Sequence, residues 1–208
     1  MPEVNTSDIG FEKQIWDAAC VLRGNIDASE YKSVVLGLIF LKYISDRFED
    51  KHRSLVAEGE GFEEDEDEYL SENIFFVPES ARWNVIARAA HTPQIGTVID
   101  DAMRAIEQKN RKLKDVLPKN FARPELDKRR LGDVVDLFTN IRMAEHGGSK
   151  DILGRAYEYC LSKFAEQEGK LAGEFYTPAC VVRTLVEVLQ PFNGRVYEIP
   201  FSEVIQSA

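Results

Sequence analysis

Apolar positions recur at three- and four-residue intervals along most of this chain, and wherever they do the pattern predicts helix. Over residues 7–22, Phe11, Ile15, Ala18, Ala19 and Leu22 share one stripe, Trp16 widens it, and Gly24-Asn25 stops it. Asp27-Ala28-Ser29-Glu30 is then an Asp version of the capping box. The Asp27 carboxylate can accept from a free amide at Ser29 or Glu30, and the Glu30 side chain can reach back to the amide of Asp27. A long helix over 28–55 follows. From Tyr31 to Ile44 it is apolar nearly all round, as a central core helix is. From Asp46 the pattern turns charged, which predicts emergence into solvent.

Downstream, residues 73–78 (Asn-Ile-Phe-Phe-Val-Pro) form a short extended apolar piece expected to pack on the helices. A helix carrying Trp83 is predicted over 79–90. Another is predicted over 95–109, with Ile95, Val98, Ile99, Ala102, Met103 and Ile106 on one face. Residues 109–130 are irregular and broken by Pro118 and Pro124. A short helix over 131–141, a flexible break at Gly147-Gly148 and an amphipathic helix over 151–164 come next. The last predicted helix covers 178–189, and Arg195-Val196-Tyr197 can begin a strand. The fold class is therefore all-α: a multi-helix N-terminal domain, then one further helix and the start of a strand. The domain division is placed at 1–148 and 149–208, at the glycine pair.

Composition adds limits. The 208 residues are 44% hydrophobic and 30% charged, enough to bury a core and unlike a disordered chain. Cys20, Cys160 and Cys180 form neither a CxxC nor a Cys/His cluster, which argues against a disulfide framework or structural zinc and fits a reduced, cytoplasmic setting. The longest apolar run, 34–41, is far short of the roughly 20 residues that span a bilayer, and no secretory signal precedes it, so no membrane partner is expected. The net charge of -10 disfavours wholesale nucleic-acid binding. Its distribution is uneven, however. Residues 58–72 hold nine acids and no Lys or Arg, predicting a mobile acidic loop; residues 104–130 hold ten basic residues against four acids.

Candidate chemistry is sparse. There is no GxGxxG, P-loop, HExxH or GxSxG. His52, His91 and His146 lie in separate segments and read as surface or turn residues. Asp100-Asp101 reads as solvated helix charge, and the acidic loop lacks EF-hand spacing. No catalytic residue and no metal ligand is assigned. The informative local feature is Thr177-Pro178, an N-cap followed by proline at the first helical position. Free amides at such an end suit an anionic group, and Phe175 and Tyr176 beside it can offer an aromatic wall.

Two segments carry a resemblance. Gly173-Glu174-Phe175-Tyr176-Thr177-Pro178 resembles the G-[QE]-[FY]-[FY]-T-P signature of type I restriction-modification DNA methyltransferase (M) subunits. Residues 151–159 (Asp-Ile-Leu-Gly-Arg-Ala-Tyr-Glu-Tyr) resemble the helix that precedes it in that family. The stretch through Tyr31-Lys32 and Leu41-Lys42-Tyr43-Ile44-Ser45-Asp46 is similar to the family's N-terminal helical domain. The resemblance covers residues 8–197, and it implies that the helix over 178–189 and the strand at 195–197 are the first helix and first strand of a truncated α/β methyltransferase domain. It implies adenine-N6 methylation of DNA by S-adenosylmethionine in the full-length protein, with Glu174, Phe175, Tyr176, Thr177, Pro178 and Ala179 lining one side of the cofactor site. It implies DNA, a specificity (S) subunit, a second M subunit and a restriction (R) subunit as partners.

After Tyr197 the sequence departs from that pattern. The family's D-P-x-x-G-[ST]-G loop and its adenine-holding N-P-P-[FY] are absent from these 208 residues. A shortened or frameshifted reading frame accounts for the junction at Glu198. The expectation is a segment without methyl transfer or bound cofactor of its own, serving DNA clamping and subunit contacts. Lys112, Lys114, Arg129 and Arg130 are the chosen phosphate contacts. The alternative is a helical protein-interaction module with no DNA role, favoured by the negative charge. Basic residues converging on one concave face favour DNA; scattering, or pairing with the acidic loop, favours interaction alone.

Overall fold

The computed structural model describes residues 9–22, 28–141, 143, 152–168, 184–185 and 187–188. Every regular element among them is helical: α1 (Ile9–Cys20), α2 (Ala28–Glu58), α3 (Glu66–Leu70), α4 (Trp83–Ala89), α5 (Ile95–Lys109), α6 (Lys128–Thr139) and α7 (Ile152–Glu168), with 3-10 turns at Glu79–Ala81 and Arg111–Leu113. The chain divides into two compact units, Met1–Ala172 and Gly173–Ala208. In the second, Thr184, Leu185, Glu187 and Val188 are helical, within the helix predicted over 178–189. The Asp27 capping box, the Gly147-Gly148 break and the Arg195–Tyr197 strand lie outside the described residues. No helix among the described residues is long and apolar enough to cross a membrane.

The core of the first unit is built around α2. Its 31 residues make a rod about 46 Å long at 1.5 Å per residue. Val34, Val35, Leu38, Ile39 and Leu41 are fully buried, as the all-round apolar pattern predicts. The charged half does not simply enter solvent, however. Phe48 is 2% exposed there, stacked on Tyr69 at 4.7 Å and edge-on to Phe76 at 5.5 Å. One partner, Tyr69, lies in the segment expected to be an acidic loop; the other, Phe76, lies in the apolar piece expected to pack on the helices.

That loop is folded. Asp65 caps α3 by accepting from the Asp67 amide at 3.0 Å, and the buried Tyr69 ring anchors it. Three of its nine acids are partnered across the surface: Glu72 with Lys51 at 2.8 Å, Glu66 with Lys109 at 2.6 Å, and Glu64 with both Arg82 and His52. Like charge at this density opposes compaction, and cations from three other segments offset part of it.

The helix expected over 79–90 is interrupted at Arg82, whose backbone is extended (ψ 146°). The extended residue carries its guanidinium to Glu64 and over the Phe48 ring at 5.2 Å. Asn110 pins the extended piece by bonding both the amide and the carbonyl of Phe76, at 3.0 and 2.9 Å. Helix α6 begins three residues earlier than the apolar period suggests, because Asp127 accepts from the amides of Arg129 and Arg130. Helix α5 has the predicted bounds. Gly96 on it is obligatory: a Cβ there would lie 2.2 Å from the Phe121 carbonyl oxygen.

Candidate functional site

The segment carrying the signature, with Glu174, Phe175, Tyr176, Thr177, Pro178 and Ala179, lies outside the described residues. The helix preceding it, α7, is placed in detail. Tyr157 donates to the Leu36 carbonyl of α2 at 2.8 Å, and burial pushes its phenol up to about 12. Arg155 pairs with the buried Glu12 of α1. Phe164 sits edge-on to Trp16 at 5.1 Å and to Tyr31 at 5.3 Å. The Tyr31 hydroxyl in turn donates to Ala19 of α1 at 2.7 Å. The 151–159 pattern is thus, in this fold, the means by which α7 locks onto α1 and α2. Cys160 is fully buried, and burial pushes its thiol up to about 12, which makes it an inert apolar side chain. Cys20 is half-buried and Cys180 lies outside the described residues.

The 41–46 pattern has a different use. Lys42 and Asp46, one turn apart on α2, form an ion pair of 2.5 Å, with side chains 4% and 16% exposed. Asp46 also accepts from the Met143 amide at 2.9 Å, which ties the chain after α6 to the middle of α2. Lys42 lies 5.4 Å from the centre of the Trp83 ring, and the Trp83 indole donates to Thr139 at 2.9 Å. This cluster links α2, α4 and α6 through polar groups that a hydrophobic pattern does not reveal.

The basic segment splits into two sets. Arg104 pairs with Asp101, Lys109 with Glu66 of the acidic segment, Lys119 with Glu107, and Arg130 with Asp127 at 3.7 Å, and the half-buried Arg123 is engaged as well. Lys128 donates to the Phe121, Arg123 and Leu126 carbonyls, and burial lowers its pKa. Arg111, Lys112, Lys114 and Arg129 are exposed, and Arg130 is half-buried. Asp100, read from sequence as solvated, is 3% exposed and accepts from the Phe121 and Ala122 amides at 2.9 and 3.0 Å. The available signal was its position one turn after Gly96, where only a close backbone can approach. His91 is exposed beside Asp136, and His52 is half-buried beside Glu64. His146 lies outside the described residues. The described residues hold no group of three metal-ligating side chains.

Glu107 gives this segment a pH dependence. Burial raises its carboxyl, but the Lys119 ammonium and the Leu117 amide outweigh burial and hold it below the ordinary carboxylate value. The associated stability is present above the ordinary value and is lost as pH falls through the depressed one. Glu107→Gln is therefore expected to flatten the acid limb of the stability–pH curve, measured by urea unfolding between neutral pH and pH of about 3. An acid limb as steep as in the parent chain would contradict this.

An all-helical unit whose last helix leads into the 173–178 signature defines the N-terminal part of a type I methyltransferase subunit. Residues 11–138 match the HsdM N-terminal domain model, and residues 148–201 match the N-6 DNA Methylase model. The chain belongs to the HsdM N-terminal domain family of type I restriction-modification methyltransferase subunits, and continues into the start of the methyltransferase domain. It is 36% identical over 204 residues to the type I restriction enzyme MjaIX methylase subunit of Methanocaldococcus jannaschii, covering 90% of this chain and 37% of that protein. It is 37% identical over 142 residues to the HindI methylase subunit of Haemophilus influenzae, covering 59% and 32%. The type I restriction-modification methyltransferase subunit of Streptococcus thermophilus has a similar structure, with a TM-score of 0.67 at 26% identity, over 87% of this chain and 43% of that one. The chain spans about a third to two-fifths of the curated relatives it matches.

Proposed function

We propose that this chain supplies the DNA-clamping and subunit-contact region of a modification subunit which, when complete, transfers methyl from S-adenosylmethionine to adenine N6 in DNA. The order of the two family matches, helical domain and then methylase start, carries this reading. The domain division is 1–148 and 149–208. Glu174, Phe175, Tyr176, Thr177, Pro178 and Ala179 contribute one wall of the cofactor site. Lys112, Lys114, Arg129 and Arg130 contact phosphates. The S subunit, a second M subunit and the R subunit are its protein partners, in the cytoplasm. A polypeptide of these 208 residues lacks the glycine loop and N-P-P-[FY]. Such a polypeptide, by itself, is expected neither to transfer methyl nor to retain the cofactor.

The test has two arms. Calorimetry of the 208-residue chain with S-adenosylmethionine is expected to show no binding; micromolar affinity would sink the inactive-segment reading. In the complete enzyme, charge reversal at Lys112, Lys114, Arg129 and Arg130 is expected to weaken DNA binding equally across sequences and to lower the salt dependence, since phosphate contacts position rather than read. Unchanged affinity across a salt series would remove the DNA role from these residues. The interaction-module reading would then stand, supported by Lys109 being paired with the acidic Glu66.

A further inference from the structure

Residues 114–127 join the 3-10 turn at Arg111–Leu113 to α6 with neither helix nor strand. Lys112 and Lys114 lie at one end of this connection, and Arg129 and Arg130 at the other. A backbone without a regular ladder must find partners for its amides and carbonyls elsewhere. Charged side chains supply many of them here. Asp100, 3% exposed on α5, accepts from the Phe121 amide at 2.9 Å and from the Ala122 amide at 3.0 Å, one on each carboxylate oxygen. Glu107 has a side chain 10% exposed, accepts from the Leu117 amide at 2.8 Å and pairs with Lys119 at 2.6 Å. Seven residues apart on one helix, the two carboxylates share a face of α5. The Glu107 anchor follows Asp115, whose backbone is left-handed (φ 60°) directly after Lys114. Lys128 donates to the Phe121, Arg123 and Leu126 carbonyls directly before Arg129.

Two carboxylates bonded into a segment that contacts phosphates oppose that contact by charge alone. Their hydrogen bonds act the other way. They order an irregular backbone before any ligand arrives, so that less freedom is lost on binding.

We propose that Asp100 and Glu107 are positioning residues for DNA: with Lys128 they hold the 114–127 backbone so that Lys112 and Lys114 at one end, and Arg129 and Arg130 at the other, meet the phosphates together. The inference rests on the phosphate-contact reading of those four cations and adds a sign to it. Neutralising an acid on a DNA-binding protein tightens binding where charge alone counts. Neutralising either of these acids weakens it, because placement is lost.

The experiment is DNA binding by the complete enzyme over a salt series, comparing Asp100→Asn, Glu107→Gln and Asp101→Asn. Asparagine at 100 keeps the shape of the carboxylate but turns an amino group toward one of the two backbone amides. Asp101, the next residue, is exposed and pairs with Arg104, so Asp101→Asn removes the same charge and leaves the placement intact. Asp100→Asn is expected to weaken binding about fivefold or more and Glu107→Gln about threefold, whereas Asp101→Asn binds as the parent does or slightly tighter. Binding is measured well below the unfolding midpoint of each variant; if Asp100→Asn does not fold, Glu107→Gln decides the outcome. Hydrogen exchange of the 208-residue chain is the second readout. The Phe121 and Ala122 amides in Asp100→Asn, and the Leu117 amide in Glu107→Gln, are expected to lose protection while those of α2 keep theirs. Unchanged protection at these amides, or binding unchanged or tighter in both variants, overturns the inference. If charge reversal of the four cations weakens binding and these variants do not, the positioning role fails alone. If charge reversal leaves binding unchanged, the phosphate reading fails and the positioning role with it.

Discussion

Replacing Lys42 by methionine is expected to cost about 3 kcal/mol of stability, because it strands the Asp46 carboxylate in a largely dry site. The Lys42 side chain is 4% exposed and lies against the Trp83 ring, so water cannot readily take over the role of the ammonium. At the usual sensitivity of a domain this size, that is a drop in Tm of roughly 6–12 °C. The double variant Lys42→Met/Asp46→Asn tests the cause. Asparagine removes the charge yet keeps an acceptor for the Met143 amide. It is expected to recover at least half of the loss. If the double variant is no more stable than Lys42→Met alone, then lost packing on Trp83 rather than the stranded charge explains the effect.

The second large effect is at Phe164. It is 2% exposed and touches Trp16 of α1 and Tyr31 of α2 edge-on. Phe164→Ala removes a buried ring and leaves a cavity that two helices and a tryptophan cannot easily close, at a cost of about 3–5 kcal/mol. The cost is expected to fall mainly on α7, because this helix docks through side chains on α1 and α2: Phe164, Tyr157 on Leu36, and Arg155 on Glu12. Hydrogen exchange is expected to show α7 amides losing protection while those of α5 and α6 keep theirs. Uniform loss across the unit would mean that α7 is no separable element, and a cost below about 1 kcal/mol would mean that the ring is not a main anchor.

These two sites show where sequence reading succeeds and where it stops. Phe164 and Tyr157 were visible as members of an amphipathic stripe, because a helix that buries one face must repeat its apolar residues. The pair at Lys42 and Asp46 was not visible. A lysine in an apolar run has the same letter whether its ammonium reaches water or a buried carboxylate. Lys128 and Asp100 illustrate the same limit: each is a charged residue that holds backbone groups of the 117–126 segment in place, and each looks like an ordinary surface charge in one dimension.

By itself the sequence determined the helical class, the bounds of α5, the central place of α2 and, through the 173–178 signature and the 151–159 pattern, the family. Periodicity and short motifs are local properties, and local order in the chain preserves them. Only the tertiary structure decided which charges are spent internally. It folded the acidic segment onto Lys51, Arg82 and Lys109, engaged Arg104, Lys109, Lys119, Arg123, Lys128 and Arg130 of the basic segment, and left Arg111, Lys112, Lys114 and Arg129 on the surface. The physical reason is that the free energy of a charge depends on its partners and its solvent, and both are set by residues far away in sequence.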